Sequence, residues 1–408
     1  MNCRLSTIIE SSLVETLTGL YVDLKDEAKK ECQFAIRSGG QTAWAGAANI
    51  EGGVTLDLRK LNTVKVNSAT ATVSLGAGGT WDLVYSKLDP MYLNVNGGRT
   101  AGVGIGGLST GGGISYFGTR YGWTADTVLN FEVVLADGTI VNANENENSD
   151  LLWALRGGSN NFGIVTRIDM QTFEQEPFLF IRINDPVTYD EFAHLTLTWG
   201  FSASAGLVVA NQLEYTKPIE DPPIFAKTRS LPVLFRRDGI SNVTQLSKDL
   251  RDQAATINAT FFRFNESLPT IARVSGIVSS PTLEPLPPAL YARHQASNSL
   301  GFGHRENLNQ SLVIALLSIS YTFANDDQII KTYGHSLMDA ISQDMKKLDA
   351  FDPYLSLNYA APYQDPLSSY TDANMRRLRE IAAKWDPHGT FQHQVPGGFK
   401  LFTHLNLL

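Results

Sequence analysis

The 408-residue chain has only two cysteines, Cys3 and Cys32. Two thiols build neither a disulfide framework nor a cysteine-rich zinc site, so no metal site is expected and the fold must rest on its apolar core. No apolar run reaches the ~18–20 residues of a membrane helix, which argues against a membrane partner. An excess of positive charge is also missing. The 33 Lys and Arg against 41 Asp and Glu leave a net −8, and the pI is near 5.4. That balance argues against nucleic acid as the main partner. No apolar segment follows Met1-Asn2-Cys3-Arg4, so no signal peptide is legible. Four Asn-x-Ser/Thr sequons, at Asn242, Asn258, Asn265 and Asn309, suit a glycosylated, secreted chain instead. The two signals oppose each other and leave localisation open between cytoplasm and secretory route. No internal repeat and no low-complexity tract is present. With 43% hydrophobic and 18% charged residues the composition is that of a globular protein.

What the chain does have is glycine in particular places. Phe34-Ala35-Ile36 reads as a strand that runs into Arg37-Ser38-Gly39-Gly40-Gln41-Thr42, a tight turn opened by a cation. Consecutive N–H groups freed at such a turn form a concave nest for a phosphate, and glycine lets the backbone approach a ligand closely. A second glycine belt, Gly97–Gly122, holds 11 of the 34 glycines in 26 residues. That density is too high for an ordinary packed element. Gly157-Gly158 forms a third polar glycine turn. Several such turns suggest a large, flat, anionic ligand gripped at more than one point.

At 408 residues two domains are expected. Residues 1–30 read as mostly helical. Val54–Leu58 and Thr72–Leu75 read as short strands, and Trp81–Leu88 as a helix begun at Thr80 and stopped before Pro90. Val128–Leu135 reads as a strand that turns at Ala136-Asp137-Gly138-Thr139 into Ile140-Val141. Asp150–Leu155 reads as a helical turn and Ile164–Met170 as a strand. Beyond Gln175 longer strands (Leu179–Ile183, Gly206–Tyr215, Leu231–Arg236, Ser311–Phe323) alternate with helices (Tyr189–Trp199, Ser241–Ile257, Asp326–Leu348). Leu355–Tyr359 reads as a strand, and Thr371–Lys384 as a helix ended by Asp386-Pro387-His388-Gly389. The expected class is α+β. Its divisions are residues 1–175 with short strands and glycine corners, 176–345 with an antiparallel sheet flanked by helices, and 346–408 returning to the first part.

Three chemistries compete for the belt. Gly102-Val103-Gly104-Ile105-Gly106-Gly107 fits G-x-G-x-x-G, with Asp126 about 20 residues on, as a dinucleotide fingerprint requires. Gly107-Leu108-Ser109-Thr110-Gly111 fits the G-x-S-x-G nucleophile elbow of a hydrolase. Both need a helix after the turn, and Gly111-Gly112-Gly113 disfavours one at about 1 kcal/mol per glycine. The belt read as nothing but tight turns leaves the recurrence at Gly39-Gly40 and Gly157-Gly158 unexplained.

Taken in order, Ile36–Gly40, Gly52–Leu58, the belt with Tyr121-Gly122, Leu135–Gly138 and Trp153–Gly158 with Phe162–Thr166 resemble the FAD-linked oxidases of the vanillyl-alcohol-oxidase type. Within them the chain resembles the berberine-bridge-enzyme-like branch in its fungal form. Asn358-Tyr359 and the run from Tyr370 through Asn374, Leu378 and Trp385-Asp386-Pro387 to Phe391 resemble that branch's return segment. The resemblance covers about 34–175 and 350–401. It implies a bipartite FAD-binding domain of two α+β subdomains (the PCMH type) and a substrate domain covering the flavin. By position, the backbone of Arg37, Ser38, Gly39, Gly40, Gln41 and Thr42 would hold the pyrophosphate. Thr100, Val103, Gly106, Gly107, Ser109, Gly112 and Gly113 would line the other side, and Gly163, Ile164 and Val165 would meet the adenosine end. Asn358 and Tyr359 would return beside the isoalloxazine, Tyr359 as base or hydrogen-bond donor and Asn358 as the orienting group. Tyr116, Tyr121 and Trp123 either line the cavity or pack the belt. His388 and His393 read as surface residues, and the small Val103 would permit access of oxygen.

The chain departs from that family twice. Gln41 stands where the family has a histidine joined covalently to flavin, and Thr100 where some members add a cysteine link. Neither side chain can form the bond, so non-covalent FAD is expected. Only 36 residues precede Arg37, fewer than the family carries, so the FAD domain reads as N-terminally shortened. The expected activity is oxidation of a small organic molecule in secondary metabolism with O₂ as acceptor, by a monomer or weak oligomer. The alternative is a redox-neutral cyclase or binding protein on a degenerate flavin-oxidase fold.

Overall fold

The computed structural model describes residues 33–42, 44–175, 180–181, 193–202, 206–215, 219, 238–239, 260, 262–304 and 312–402. The chain divides into two compact units. One comprises residues up to Gln175 together with Ala289–Leu308 and Tyr354–Leu408, the other Glu176–Pro288 and Asn309–Pro353. The expected helix over 1–30, strand Leu231–Arg236 and helix Ser241–Ile257 lie outside the described residues, as do Asn242, Asn258 and Asn309. Asn265 is described and exposed.

In the first unit β1 (Phe34–Arg37) and β2 (Val54–Asp57) pair in parallel, Phe34 opposite Val54 and Arg37 opposite Asp57. A five-stranded antiparallel sheet is built from β3 (Val64–Asn67), β4 (Thr72–Gly76), β6 (Val128–Val134), β7 (Ile140–Asn144) and β8 (Ile164–Gln171). A further pair, β5 (Leu93–Asn94) and β9 (Phe173–Glu174), stands apart. The order in the larger sheet is β3-β4-β8-β6-β7, with β8 central. Centrality explains its composition: Ile164, Val165, Ile168 and Met170 are all buried. Phe34 and Val54 from the first strand pair, with Leu58 just after it, form one core with Val134 and Ile164 from the sheet and Phe391 and Val395 from the C-terminal segment. Phe34 and Phe391 meet edge to face, with centroids 6.4 Å apart.

The second unit carries a six-stranded antiparallel sheet. Its strands are β10 (Phe180–Ile181), β11 (Ala193–Ser202), β12 (Gly206–Tyr215), β13 (Asp238–Gly239), β14 (Val278–Leu286) and β15 (Leu312–Ser320), in the order β13-β10-β12-β11-β14-β15. The helix Asp327–Lys347 buries Ile330, Tyr333, Leu337, Ile341 and Met345, one residue per turn. They pack with Phe264, Leu268, Ile271 and Leu283.

Most sequence expectations hold to within a residue or two, including Trp81–Leu88, β6, the turn at Gly138 and the helix Asp372–Trp385. Three are corrected. Of the expected helix Tyr189–Trp199, residues 189–192 lie outside the described residues and the part from Ala193 on is instead β11, ten residues paired throughout with β12. Its Leu195-Thr196-Leu197-Thr198-Trp199 alternates with period two and carries β-branched threonines, which is strand chemistry. The expected strand Leu355–Tyr359 is a 3₁₀ turn at Leu357–Tyr359, where the Asn358 amide bonds to the belt backbone and sets the local geometry. The belt, expected to carry no helix, forms a six-residue helix at Ile105–Thr110, closed by Gly111. A dinucleotide fold is not restored by it, because the sheet beside it is antiparallel. The elbow reading also fails, since Ser109 is fully buried and a nucleophile must be exposed.

The C-terminal segment locks the first strand pair. Truncation of Phe391 to alanine should cost the first unit about 3–5 kcal/mol, read as a lowered urea midpoint of that unit's transition.

Candidate functional site

The site begins where the strand β1 ends. Gly39, Gly40 and Gln41 follow Arg37 and Ser38 at an exposed corner, with Gly40 at φ +70°. Among the described residues, the backbone N–H groups of Gly39, Gly40 and Gln41 have no hydrogen-bond partner. The Arg37 side chain lies under the corner: a Cβ on Gly40 would fall 2.8 Å from its Nε.

This corner touches the belt. A Cβ on Gly39 would sit 2.5 Å from Gly104 Cα, so two backbones meet without side chains between them. Ser38 clamps the junction. Its Oγ donates to Ala77 O at 2.6 Å and accepts from Gly106 N–H at 3.3 Å. Gly102, at φ +79°, lies against Gln41, whose Nε2 would be 2.7 Å from a Cβ there. The Gly102 N–H donates to Asp82 Oδ1 at 2.7 Å, and that bond holds the carboxyl below its usual value. Val103 O accepts from Trp81 N–H and Val103 N–H donates to Thr100 O. Gly106 packs within 3.0 Å of Ala77 O at its Cβ position, whereas Gly107 is exposed and faces open space.

The other end of the belt is joined to Asn358. Its Oδ1 accepts from Gly113 N–H at 3.0 Å and its Nδ2 donates to Gly107 O at 3.1 Å. Beside it, the Tyr359 phenol oxygen accepts from Arg99 Nη2 at 2.8 Å. Both side chains are half-buried. The belt backbone under Arg99 is fixed by tyrosines: Tyr116 Oη donates to Arg99 O at 3.3 Å and Tyr85 Oη to Gly98 O at 2.6 Å. Burial pushes the Tyr85 phenol well above its ordinary value. Gly97 and Gly98 lie flat on the Trp81 ring, 2.3 and 2.6 Å at their Cβ positions.

The structure therefore brings together Arg37, Ser38, Gly39, Gly40 and Gln41 with Val103 and Gly106, and separately Gly107, Gly112 and Gly113 with Asn358 and Tyr359. Thr42 and Thr100 are exposed on the flanks of these two groups. Ser109 is buried with an unpartnered Oγ among the described residues. Ile164 and Val165 are buried strand residues, and the Cβ position of Gly163 is 2.4 Å from Val133 Cγ1. Trp123 is buried and stacks on Phe302, Tyr121 stacks on Phe173, and His388 and His393 are exposed.

Sequence reasoning missed Arg99 and the segment 289–308. Arg99 follows Gly97-Gly98 directly and is one of two cations in the belt, a signal that could have been used. Within 289–308, Leu300 fills the space over Gly112 and Gly157. Asn298 Nδ2 donates to Asp126 Oδ1 at 2.7 Å, and Trp123 N–H donates to Asp126 Oδ2 at 2.8 Å. The acid that would have read a ribose in a dinucleotide fold is thus a buried structural anchor. Arg156 Nη2 donates to Val128 O and its Nη1 to Ser297 O, Asn374 Nδ2 to Ser299 O, and Tyr370 Oη to Gly157 O. Burial pushes the Asp126 carboxyl up to about 7 against the pull of Asn298, Trp123 N–H and Arg156, and lowers Arg156. Enclosure also brings the Lys400 ammonium, which donates to Asn160 Oδ1 at 3.2 Å, down to about 7. Among the described residues, no cluster of His, Cys, Asp and Glu could hold a metal ion.

These features fit a bound dinucleotide. Three adjacent unpartnered N–H groups offer an anion nest, and Gly107 leaves backbone open to a flat ligand. Residues 24–144 match the family described as FAD binding domain. The chain is 34% identical over 418 residues to the FAD-dependent monooxygenase CTB5 of Cercospora nicotianae, covering 91% of this chain and 90% of that one. It is 35% identical to the protein called Oligopeptidase PhomG' of Diaporthe leptostromiformis over 92% of its own length, which is 32% of that protein. The chain therefore spans about a third of that relative. The fold is that of 6-hydroxy-D-nicotine oxidase from Arthrobacter nicotinovorans, with a TM-score of 0.73 at 19% identity, covering 93% of this chain and 88% of that one. The chain belongs to the family of FAD-dependent oxidoreductases that contains these fungal monooxygenases and has the vanillyl-alcohol-oxidase-type fold. FAD is its cofactor, and enzymes of this family act on small molecules.

Asp126 gives this unit a pH dependence with a definite sign. Its folded value lies above the unfolded one, so the unfolded chain releases this proton first as pH rises. The contribution is therefore full below about pH 4 and is lost progressively as pH approaches about 7. An Asp126→Asn variant should lack this fall. Its stability relative to wild type should rise by on the order of 2–4 kcal/mol between those limits, measured by urea unfolding across the range.

Proposed function

We propose that this protein is an oxidase with non-covalently bound FAD that oxidises a small organic molecule and passes the electrons to O₂. The observation that carries the reading is the cluster of Asn358, Tyr359 and Arg99 beside the exposed Gly107 and the buried Gly111–Gly113 backbone. The nest at Gly39–Gln41 and the belt edge at Gly102–Gly107 would hold the dinucleotide through backbone N–H groups, with Thr42, Thr100 and Val103 flanking it and Ser109 packed beneath the belt. Gly163, Ile164 and Val165 would form the wall at the adenosine end. Gln41 lies against Gly102 and offers only an amide, which has no ring nitrogen to bond to flavin. Thr100 offers only a hydroxyl.

FAD, when bound, would supply hydride-accepting redox chemistry, with O₂ as the final electron acceptor. The residues of this chain do the rest. The Tyr359 oxygen takes the proton released from the substrate's O–H or N–H as its C–H bond breaks. Asn358 fixes the turn that presents Tyr359, because both ends of its amide are held by Gly107 and Gly113. The second unit, with its broad antiparallel sheet, serves substrate recognition, and a role in fungal secondary metabolism follows the named relatives.

The protein purified under native conditions should be yellow, and acid precipitation should release the flavin absorbance into the supernatant. A yellow precipitate would refute the non-covalent reading, and a colourless protein that takes up no added FAD would favour a redox-neutral role. Gly39→Ala should push the two glycine corners apart. An overlap of this size cannot be absorbed by backbone, so FAD affinity should fall at least about tenfold, or 1.4 kcal/mol, measured by quenching of flavin fluorescence.

A further inference from the structure

Tyr359 and Arg99 are 260 positions apart in sequence, yet the guanidinium donates to the phenol oxygen at 2.8 Å. We propose that Arg99 is the positioning residue that makes Tyr359 a proton acceptor, by holding its oxygen at a fixed point and favouring the phenolate over the phenol. The proposal rests on the reading of Tyr359 as base.

The argument is geometric first. Arg99 is the residue at which the belt leaves the Trp81 ring, and its neighbours cannot shift. Gly97 and Gly98 are flush with the indole, so the backbone has no slack toward it. Tyr85 and Tyr116 bond to the carbonyls of Gly98 and Arg99 from their own sites. On the other side, Asn358 ties the turn before Tyr359 to Gly107 and Gly113. Both partners thus arrive on anchored backbones, which is what a preorganised pair requires. The chemistry then has one direction. A guanidinium keeps its charge and has only donors, so it can satisfy the tyrosine oxygen only as an acceptor. The bond is charge-assisted and strengthens when the phenol loses its proton.

Other titratable groups of the belt and of the Tyr359 segment make bonds of their own. Tyr116 and Tyr85 donate their own hydrogens to belt carbonyls. Asp82 is engaged with Gly102 N–H, and Asp89 acts on Tyr85. In the segment of Tyr359 itself, Asp365 accepts from Ser368. Arg99 is the cation bonded directly to the phenol oxygen.

The test uses the FAD-loaded protein labelled with 3-fluorotyrosine, followed by ¹⁹F NMR as pH is raised. The resonance missing in Tyr359→Phe belongs to Tyr359. In the unsubstituted protein it should titrate at lower pH than free 3-fluorotyrosine. In Arg99→Leu its midpoint should rise by at least about one pH unit, a tenfold smaller phenolate fraction at fixed pH, and Arg99→Lys should recover part of the shift. A merely structural role for Arg99 would leave the midpoint in place. If Arg99→Leu does not fold, Arg99→Gln and Arg99→Lys decide by the same criterion. A midpoint moving by less than about 0.3 unit overturns the coupling. Failure of the base reading is a separate result: Tyr359→Phe would retain full turnover while the Arg99-dependent shift remained.

Discussion

Contact between two backbones, with no side chain between them, is the constraint on which this protein's first unit depends. Gly39 and Gly104 belong to turns 65 residues apart, and each occupies space the other's Cβ would need. Ser38 holds the junction by bridging Ala77 and Gly106 with one hydroxyl. From this junction the rest follows in sequence. It orients the short helix Ile105–Thr110, leaves Gly107 open, and delivers Gly111–Gly113 to Asn358. A glycine-rich stretch is entropically costly to order. Here that cost is offset by the density of bonds the ordered backbone makes.

A second layer of order is polar and buried. Hydrogen bonds from Asn298 to Asp126, Arg156 to Ser297 O, Ser299 to Arg156 O, Asn374 to Ser299 O and Tyr370 to Gly157 O fix residues 297–300 beside Gly157. Buried networks of this kind cost little when every member is bonded and a great deal when one is missing. Several of the bonds go to backbone carbonyls, which fix a path of the chain as well as a side-chain position. Leu300 completes the layer by covering glycines that could tolerate nothing larger beneath it.

Much of this was legible in the sequence, for identifiable reasons. Strands with clear alternation, helices with stop signals, and the glycine turns all carry local signals, so β6, Trp81–Leu88 and the turn after Arg37 appear as read. The order of motifs also carried the family and its cofactor. What was not legible depends on contacts distant in sequence. Asn358 was read on a strand because its neighbours are apolar and β-prone, whereas its amide finds two belt backbones and bends the chain. The strand β11 was read as a helix although its threonines alternate with leucines. Ser109 looked reactive in a one-line motif and is sealed inside. Arg99 offered a local hint, a cation after two glycines, but only the fold shows which oxygen it meets.

The amide of Phe34, at the start of the first strand, donates to the carbonyl of Gln394 across 360 residues. Phe391, Val395 and the 397–401 segment complete the packing around that strand and around Gly46 and Asn161. Pairing at such separation is slow to form, because the intervening loop must be closed first. The corner at Arg37–Gln41 therefore rests on a core with one wall supplied by residues about 350 positions later in the sequence. The shape of that corner is thereby a property of the whole first unit, set by contacts that no fragment ending before Phe391 contains.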